Sequence, residues 1–352
     1  MNPPAGKIEM PTLRTIVVAL TLLLFAGLTP ALAQSDWVVV KTYHIGGQGG
    51  WDYLTVDPRT HRLYVPRTTH TMVIDAETGK TIADIPGQKN AHGVAVAPAA
   101  GRGFISDGGG DGSIVIFDLK TNAVLGSLAA VSDVDGIIFD PTSGNVLVVS
   151  GRGKALMSFK PDIDPRNGKL GDAIALRGEP EFLAADDRGK VYINLMDTHE
   201  VAVVDLKARK VVAHWPVAPG GLPVGMALDA RNGRLFIGCR GPQKLIVMST
   251  KDGKVLSNLP IGENVDAVKL DNGQAFASTA GAQLFVAGET SPGKFAVAQT
   301  VITGDGARTM GVDQTRHRIY LPAADYETSA SGRRAPKAGT FKILVVARQS
   351  AK

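Results

Sequence analysis

The 352-residue chain has a single cysteine, Cys239. A lone thiol excludes an intramolecular disulfide, haem attachment through a cysteine pair, and any multi-cysteine zinc or iron–sulfur site. Aromatic residues make up only 6% of the chain, with three Trp and six Tyr, so platforms for stacking nucleic-acid bases are few. Charge of one sign is also scarce. Thirty-eight basic residues against 33 acidic ones give +5, an excess dispersed along the chain that singles out no anionic partner. What the sequence does have is 44% hydrophobic residues and 41 glycines, too apolar for a disordered chain and without a fibrous period.

Long hydrophobic runs are short of membrane length. Ile16 to Leu28 is uninterrupted by charge for 13 residues, whereas a spanning helix needs roughly 18 or more. Lys7 and Arg14 precede this run and Ala31-Leu32-Ala33 follows it, the order of basic, apolar and small-residue regions in an export signal. Residues 1–33 therefore read as a signal peptide cleaved after Ala33, with Met10 as a second candidate start. The expected product is periplasmic or secreted, without a membrane span, and residues 34–352 form its single domain. No Cys follows the run to accept a lipid.

The remainder repeats one unit about seven times. In the first copy, Tyr53-Leu54-Thr55-Val56-Asp57 is followed by Arg62-Leu63-Tyr64-Val65, by Met72-Val73-Ile74-Asp75, and by the turn Thr78-Gly79-Lys80. The end of the first strand recurs at Asp57, Ala97, Asp140, Asp186, Asp229, Asp271 and Asp313, at intervals of 40 to 46 residues. Short strands at that period predict an all-β fold, a seven-bladed β-propeller of four-stranded blades. The last copy supplies Arg318–Leu321 and Phe341–Ala347 but lacks a fourth strand, and the spare segment Trp37–Ile45 fits the gap. The N-terminal strand is thus expected to complete the last blade and close the ring, leaving no open sheet edge.

The run Arg62-Leu63-Tyr64-Val65 with Met72-Val73-Ile74-Asp75 and Thr78-Gly79-Lys80 resembles the YVTN β-propeller repeat of YncE-like exported proteins. Arg234-Leu235-Phe236-Ile237 and Val203-Val204-Asp205 repeat the pattern, while the third copy departs from it at Phe159-Lys160-Pro161-Asp162. The resemblance implies a secreted or periplasmic seven-bladed propeller. It brings no shared reaction and no catalytic motif.

Catalytic signatures are near misses. His199-Glu200 opens a zinc-protease motif whose second His is replaced by Val203. Gly79-Lys80-Thr81 ends a phosphate loop that has Ile74 where its first Gly belongs. Asp162-Ile163-Asp164 opens a calcium loop with Gly168 one residue late. These read as turns.

Position within the repeat is more informative. Inner strands of a propeller line its axis, and their starts meet at the mouth, a common ligand site. Five residues before each strand end stand Asp52, His92, Asp135, Glu181, Val224, Asp266 and Arg308. Gathered carboxylates must bind protons, a cation or basic partners. Asp52, His92, Glu181 and Asp266 are the candidate ligands for a divalent cation: calcium through carboxylates, zinc or iron through His92 as well. The alternative is turn caps paired with Arg308. Loops on the same face add His70, Asp107, His199 and Arg240 as candidate ligand-binding residues, and Asp325 to Thr340 reads as a solvated loop. Cys239 reads as buried and inert.

The expected function is an exported, monomeric binding protein that recognises a polar small molecule, ion or protein partner at the axial mouth. No catalytic residue is assigned, and binding outranks catalysis. The enzyme alternative is a metal-assisted hydrolase or lactonase built on the axial carboxylates. A nucleic-acid-binding propeller is a third reading, disfavoured by the dispersed basic residues.

Overall fold

A computed structural model describes residues 36–328, 332 and 334–349, together with residues 1, 2 and 6. Apart from those last three residues, the expected signal peptide lies outside the described residues. The chain is all-β. Among the described residues the only helix is a single 3₁₀ turn, Pro98–Ala100.

Sequential antiparallel strands build a series of four-stranded sheets. One runs Pro223–Asp229, Arg234–Arg240, Gln243–Ser249, Val255–Pro260 in spatial order. Two such units share the 17-residue strand Thr81–Ala97, whose first part pairs with Thr68–Asp75 and whose last part pairs with Arg102–Asp107. Trp37–His44 pairs antiparallel with Lys342–Arg348, which in turn pairs with Arg318–Ala323. Trp37–His44 is thus an outer strand of the sheet that contains Lys342–Arg348 and Arg318–Ala323.

The recurring Asp at the end of the third strand has a local cause. Asp75 Oδ1 accepts hydrogen bonds from the backbone N–H of Glu77 (3.0 Å) and Thr78 (2.8 Å), and Asp118 does the same for Lys120 and Thr121. Each is an Asx-type turn that reverses the chain into the fourth strand. The turn ends on a left-handed residue, Gly79 at φ 75° or Asn122 at φ 62°. Asp162 to Gly168 also forms a turn, organised by Asp164 Oδ1, which accepts from Arg166 and Asn167 N–H.

The inner strands meet backbone to backbone. Thr55–Asp57, Thr81–Ala97, Val134–Asp140, Pro180–Ala185, Pro223–Asp229, Val265–Asp271 and Gly311–Asp313 each touch the next, and the last touches the first. Four residues before each strand end stand Tyr53, Gly93, Gly136, Phe182, Gly225, Ala267 and Thr309. A Cβ on Gly136 would lie 2.6 Å from the Glu181 carbonyl oxygen, and one on Gly225 would lie 2.7 Å from that of Asp266. Small residues therefore set the spacing between neighbouring strands. Five of the seven strands also shift register over this stretch, between Ala91 and Val94, Val134 and Ile137, Pro180 and Leu183, Pro223 and Met226, and Val265 and Ala267. Such bulges bend a strand and re-aim its side chains.

The expected solvated loop from Asp325 to Thr340 contains a hairpin, Tyr326–Thr328 paired with Arg334–Pro336. Its anchor is the Tyr326 ring, which packs edge-on against Trp51 and carries the Arg334 guanidinium 4.6 Å above its centroid.

Gly225→Ala places a methyl group against the backbone of the next inner strand, where no side chain can rotate away. A loss of about 1–3 kcal/mol is expected, read as a lower melting temperature. An unchanged melt would show that the strands have room to spare.

Candidate functional site

The backbone at the start of each inner strand is held by its neighbours. The Asp135 carbonyl accepts a hydrogen bond from the Ser106 hydroxyl (2.6 Å), that of Val224 from the Asn194 amide (2.7 Å), and that of Asp52 from the Thr309 hydroxyl (3.0 Å). Tyr53 N–H donates to the His92 carbonyl at 3.0 Å. With the backbone fixed in this way, the side chains of these residues converge.

Two clusters result. In the first, His92 Nδ1 lies 2.8 Å from Asp52 Oδ2 and 3.7 Å from Asp135 Oδ1, and Asn90 Nδ2 stands 2.8 Å from His92 Nε2. Nδ1 thus faces two carboxylates, and an amide that presents either its NH₂ or its oxygen faces Nε2. In the second, Asp266 receives Arg240 on Oδ1 and Arg308 on Oδ2, both at 2.5 Å. Glu181 makes no hydrogen bond or ion pair to any described residue, and Asp135 Oδ1 is buried without a hydrogen-bond partner.

The electrostatics follow from crowding. Burial alone would lower the His92 pKa, but the hydrogen bond to Asp52 and the charge of Asp135 outweigh it and raise it to about 9. Burial, then the neighbouring carboxylates, push Asp135 well above the usual carboxylate range despite His92. Burial and the charge of Asp266 bring Glu181 to about 7. Asp266 is raised by burial and by Asp52, against the pull of its two arginines. Crowding at the mouth therefore favours the protonated forms of Asp135, Glu181 and His92.

Below the mouth, the Tyr53 and Phe182 rings pack against each other at a 43° tilt with centroids 4.8 Å apart, and Tyr53 Oη donates to the Asp266 carbonyl at 3.2 Å. Burial and four nearby acids raise the Tyr53 pKa well above its ordinary value, so the phenol stays neutral. The loop leading into Asp52 is tied down by Arg67, which is almost completely buried. Its guanidinium donates to the carbonyls of Gln48 (2.8 Å) and Gly50 (3.0 Å) and lies 3.7 Å over the Phe341 ring. Gly47 and Gly49 in that loop have φ of 83° and 92°, which favours glycine.

The structure brings together Asp52, His92, Asp135, Glu181, Asp266, Arg308 and Arg240. It corrects the expected roles of others. Asp266 is spent on two guanidinium groups, and Asp135 takes its place beside the histidine. Asp107 is buried and accepts the N–H groups of Lys89 and Asn90, so its carboxylate is used to hold the stretch of strand that carries His92. His70 lies within a strand opposite Asp84 at 3.7 Å. His199 is an exposed left-handed turn residue (φ 57°). Cys239 is buried, its thiol pushed up to about 12. Sequence reasoning missed Asn90 and Arg67, for which no signal existed. It also missed the Tyr53–Phe182 ring pair, whose signal was two aromatics in a column of Gly, Ala and Thr.

No protein-family model and no curated protein matches the chain. Solved structures do. The chain is similar to hydrazine synthase of Kuenenia stuttgartiensis at 12% identity, with 88% of this chain and 98% of that one covered and a TM-score of 0.70. It is similar to U3-55K at 10% identity, 88% and 99% coverage and a TM-score of 0.72. It is similar to the WD40 propeller domain of Doa1 at 12% identity, 90% and 98% coverage and a TM-score of 0.70. At these identities the likeness is one of fold: the chain is an all-β propeller.

Proposed function

We propose that the protein is an exported binding scaffold, a closed seven-bladed ring of the YVTN-repeat, YncE-like kind, whose axial mouth takes up a divalent transition-metal ion. The blade count and closure are supported by the unbroken sequence of inner-strand neighbours and by the pairing of Trp37–His44 with Lys342–Arg348. Export is supported by the order of charge, apolar run and Ala31-Leu32-Ala33 in residues 1–33.

One observation carries the metal: a ligand atom from each of Asp52, His92 and Asp135 lies within 4.8 Å of the other two, and one of the carboxylate oxygens is buried without a partner. A histidine with two carboxylates suits zinc, manganese or iron better than calcium, which favours an all-oxygen shell. On binding, His92 would give up its proton and ligate through Nδ1, and Asn90 would accept Nε2–H through its side-chain oxygen. Glu181, still unpaired, is left at the mouth to meet a polar ligand.

Zn²⁺ or Mn²⁺ titrated into the metal-free protein by calorimetry should bind at one equivalent and release protons, shown by a buffer-dependent enthalpy. Affinity should rise with pH through about 7 and towards 9, where Glu181 and His92 lose theirs. Asp135→Asn should weaken binding at least tenfold, whereas Asp111→Asn in an outer loop should not. No binding in the wild type, or equal binding by Asp135→Asn, rejects the reading. Turnover of esters or lactones by the loaded protein would favour the hydrolase alternative.

The same proton surplus gives the metal-free protein a pH-dependent stability. His92 contributes stability that is complete below about 6.5 and lost as pH rises through about 9. Glu181, raised from 4.5 to about 7, costs stability progressively between those values and fully above 7. Glu181→Gln should therefore stabilise the metal-free protein at pH 8 by roughly 1–3 kcal/mol and leave it unchanged at pH 4, as measured by denaturant melts. A difference independent of pH would remove Glu181 from the cluster.

A further inference from the structure

Beneath the Tyr53–Phe182 pair the channel continues as two adjoining cavities of about 250 and 400 Å³ that share Leu54, Thr55, Ile138, Phe139, Phe182 and Lys269. Two residues before each inner-strand end stand Thr55, Ala95, Ile138, Ala184, Ala227, Lys269 and Gly311, six uncharged positions and one lysine. Lys269 is the only charged residue lining either cavity among the described residues. Its Nζ lies 4.6 Å from the Phe182 ring centroid, and no described carboxylate stands within ion-pair distance. The acid closest to it along the chain is committed elsewhere: Asp266, three residues earlier on the same strand, is held by Arg240 and Arg308.

We propose that this channel is a second binding site, separate from the mouth, for a small carboxylate carrying an apolar body, with the Lys269 ammonium pairing with the carboxylate and the channel wall covering the apolar part. A partly buried ammonium ion in a channel lined mostly by apolar side chains, with a π-face beside it, lacks a counter-charge. A free inorganic anion would supply the charge but leave the wall wet, and a neutral apolar molecule would cover the wall but leave the charge alone. An amphiphilic carboxylate satisfies both. Burial lowers the Lys269 pKa to about 8, so the amine is mostly charged at neutral pH and binding strengthens as the solution becomes more acidic.

Octanoate, octanol and sodium acetate form the test set, measured by calorimetry or ligand-observed NMR on the metal-free mature protein at pH 7. Octanoate should bind at one equivalent, at least tenfold more tightly than octanol or acetate, and its affinity should fall about tenfold per pH unit above 8. Lys269→Met keeps the length of the side chain and removes its charge. It should lose at least tenfold in octanoate affinity while octanol binding stays within twofold, and its melting temperature should be no lower than that of the wild type. Lys269→Arg, which keeps the charge, should retain octanoate binding if the wider head fits. Equal affinity for octanoate and octanol in the wild type, or unchanged octanoate binding in Lys269→Met, overturns the proposal. Metal uptake at the mouth in Lys269→Met should match that of the wild type, so failure of one site is distinguishable from failure of the other.

Discussion

Everything at the axis depends on the inner strands approaching one another through their backbones. Residues that lack a side chain, Gly93, Gly136 and Gly225, occupy the level where neighbouring strands are closest, and carbonyl oxygens of the next strand stand where a Cβ would be at Gly136 and Gly225. That closeness lets Ser106, Asn194 and Thr309 reach across to the carbonyl groups of Asp135, Val224 and Asp52. The starts of the inner strands are therefore tied through their backbones, before any of the charged groups interact. Repulsion among carboxylates placed this close is relieved by protonation, by basic partners or by a cation.

The repeat was legible because its causes are local. An Asx turn after the third strand needs Asp and then a left-handed residue, and Asp75 with Gly79 and Asp118 with Asn122 write that need into the sequence of the first two copies. The column Asp52, His92, Asp135, Glu181, Asp266 and Arg308 was legible for the same reason, since a fixed position in a repeated unit is a fixed position around an axis. What could not be read was pairing within the column. Whether Asp266 serves a metal or a pair of guanidinium groups depends on Arg240, which belongs to the second strand of the preceding sheet and appears in the sequence only as one of many loop-facing bases. Arg67 was equally silent: its role is to gather the carbonyls of a glycine-rich loop, and carbonyl groups leave no mark in a sequence.

The bulges explain why a strict two-residue alternation misjudges the channel. Asp266 and Lys269 are three apart, so a regular strand would send them to opposite faces. The register shift between Val265 and Ala267 adds one residue to the count, and both positions meet the axis at different depths. The same irregularity recurs in four other inner strands, so the channel has a mouth level and a lower level in the same chain positions of each.

Opposite charges on one short strand would ordinarily neutralise each other, and a direct Asp266–Lys269 pair would leave the axis electrically silent. Two features prevent it. Arg240 and Arg308 already occupy both oxygens of Asp266, and the Tyr53 hydroxyl takes its carbonyl. The Phe182 ring, packed at a tilt against Tyr53, then lies beside the Lys269 ammonium, 4.6 Å from ring centroid to Nζ. The two aromatic side chains, the only large ones in a column otherwise reduced to Gly, Ala and Thr, partition the axis. Asp52, His92, Asp135, Glu181 and Asp266 lie to one side of this pair, and Lys269, with no described carboxylate in ion-pair distance, lies beside the Phe182 ring on the other.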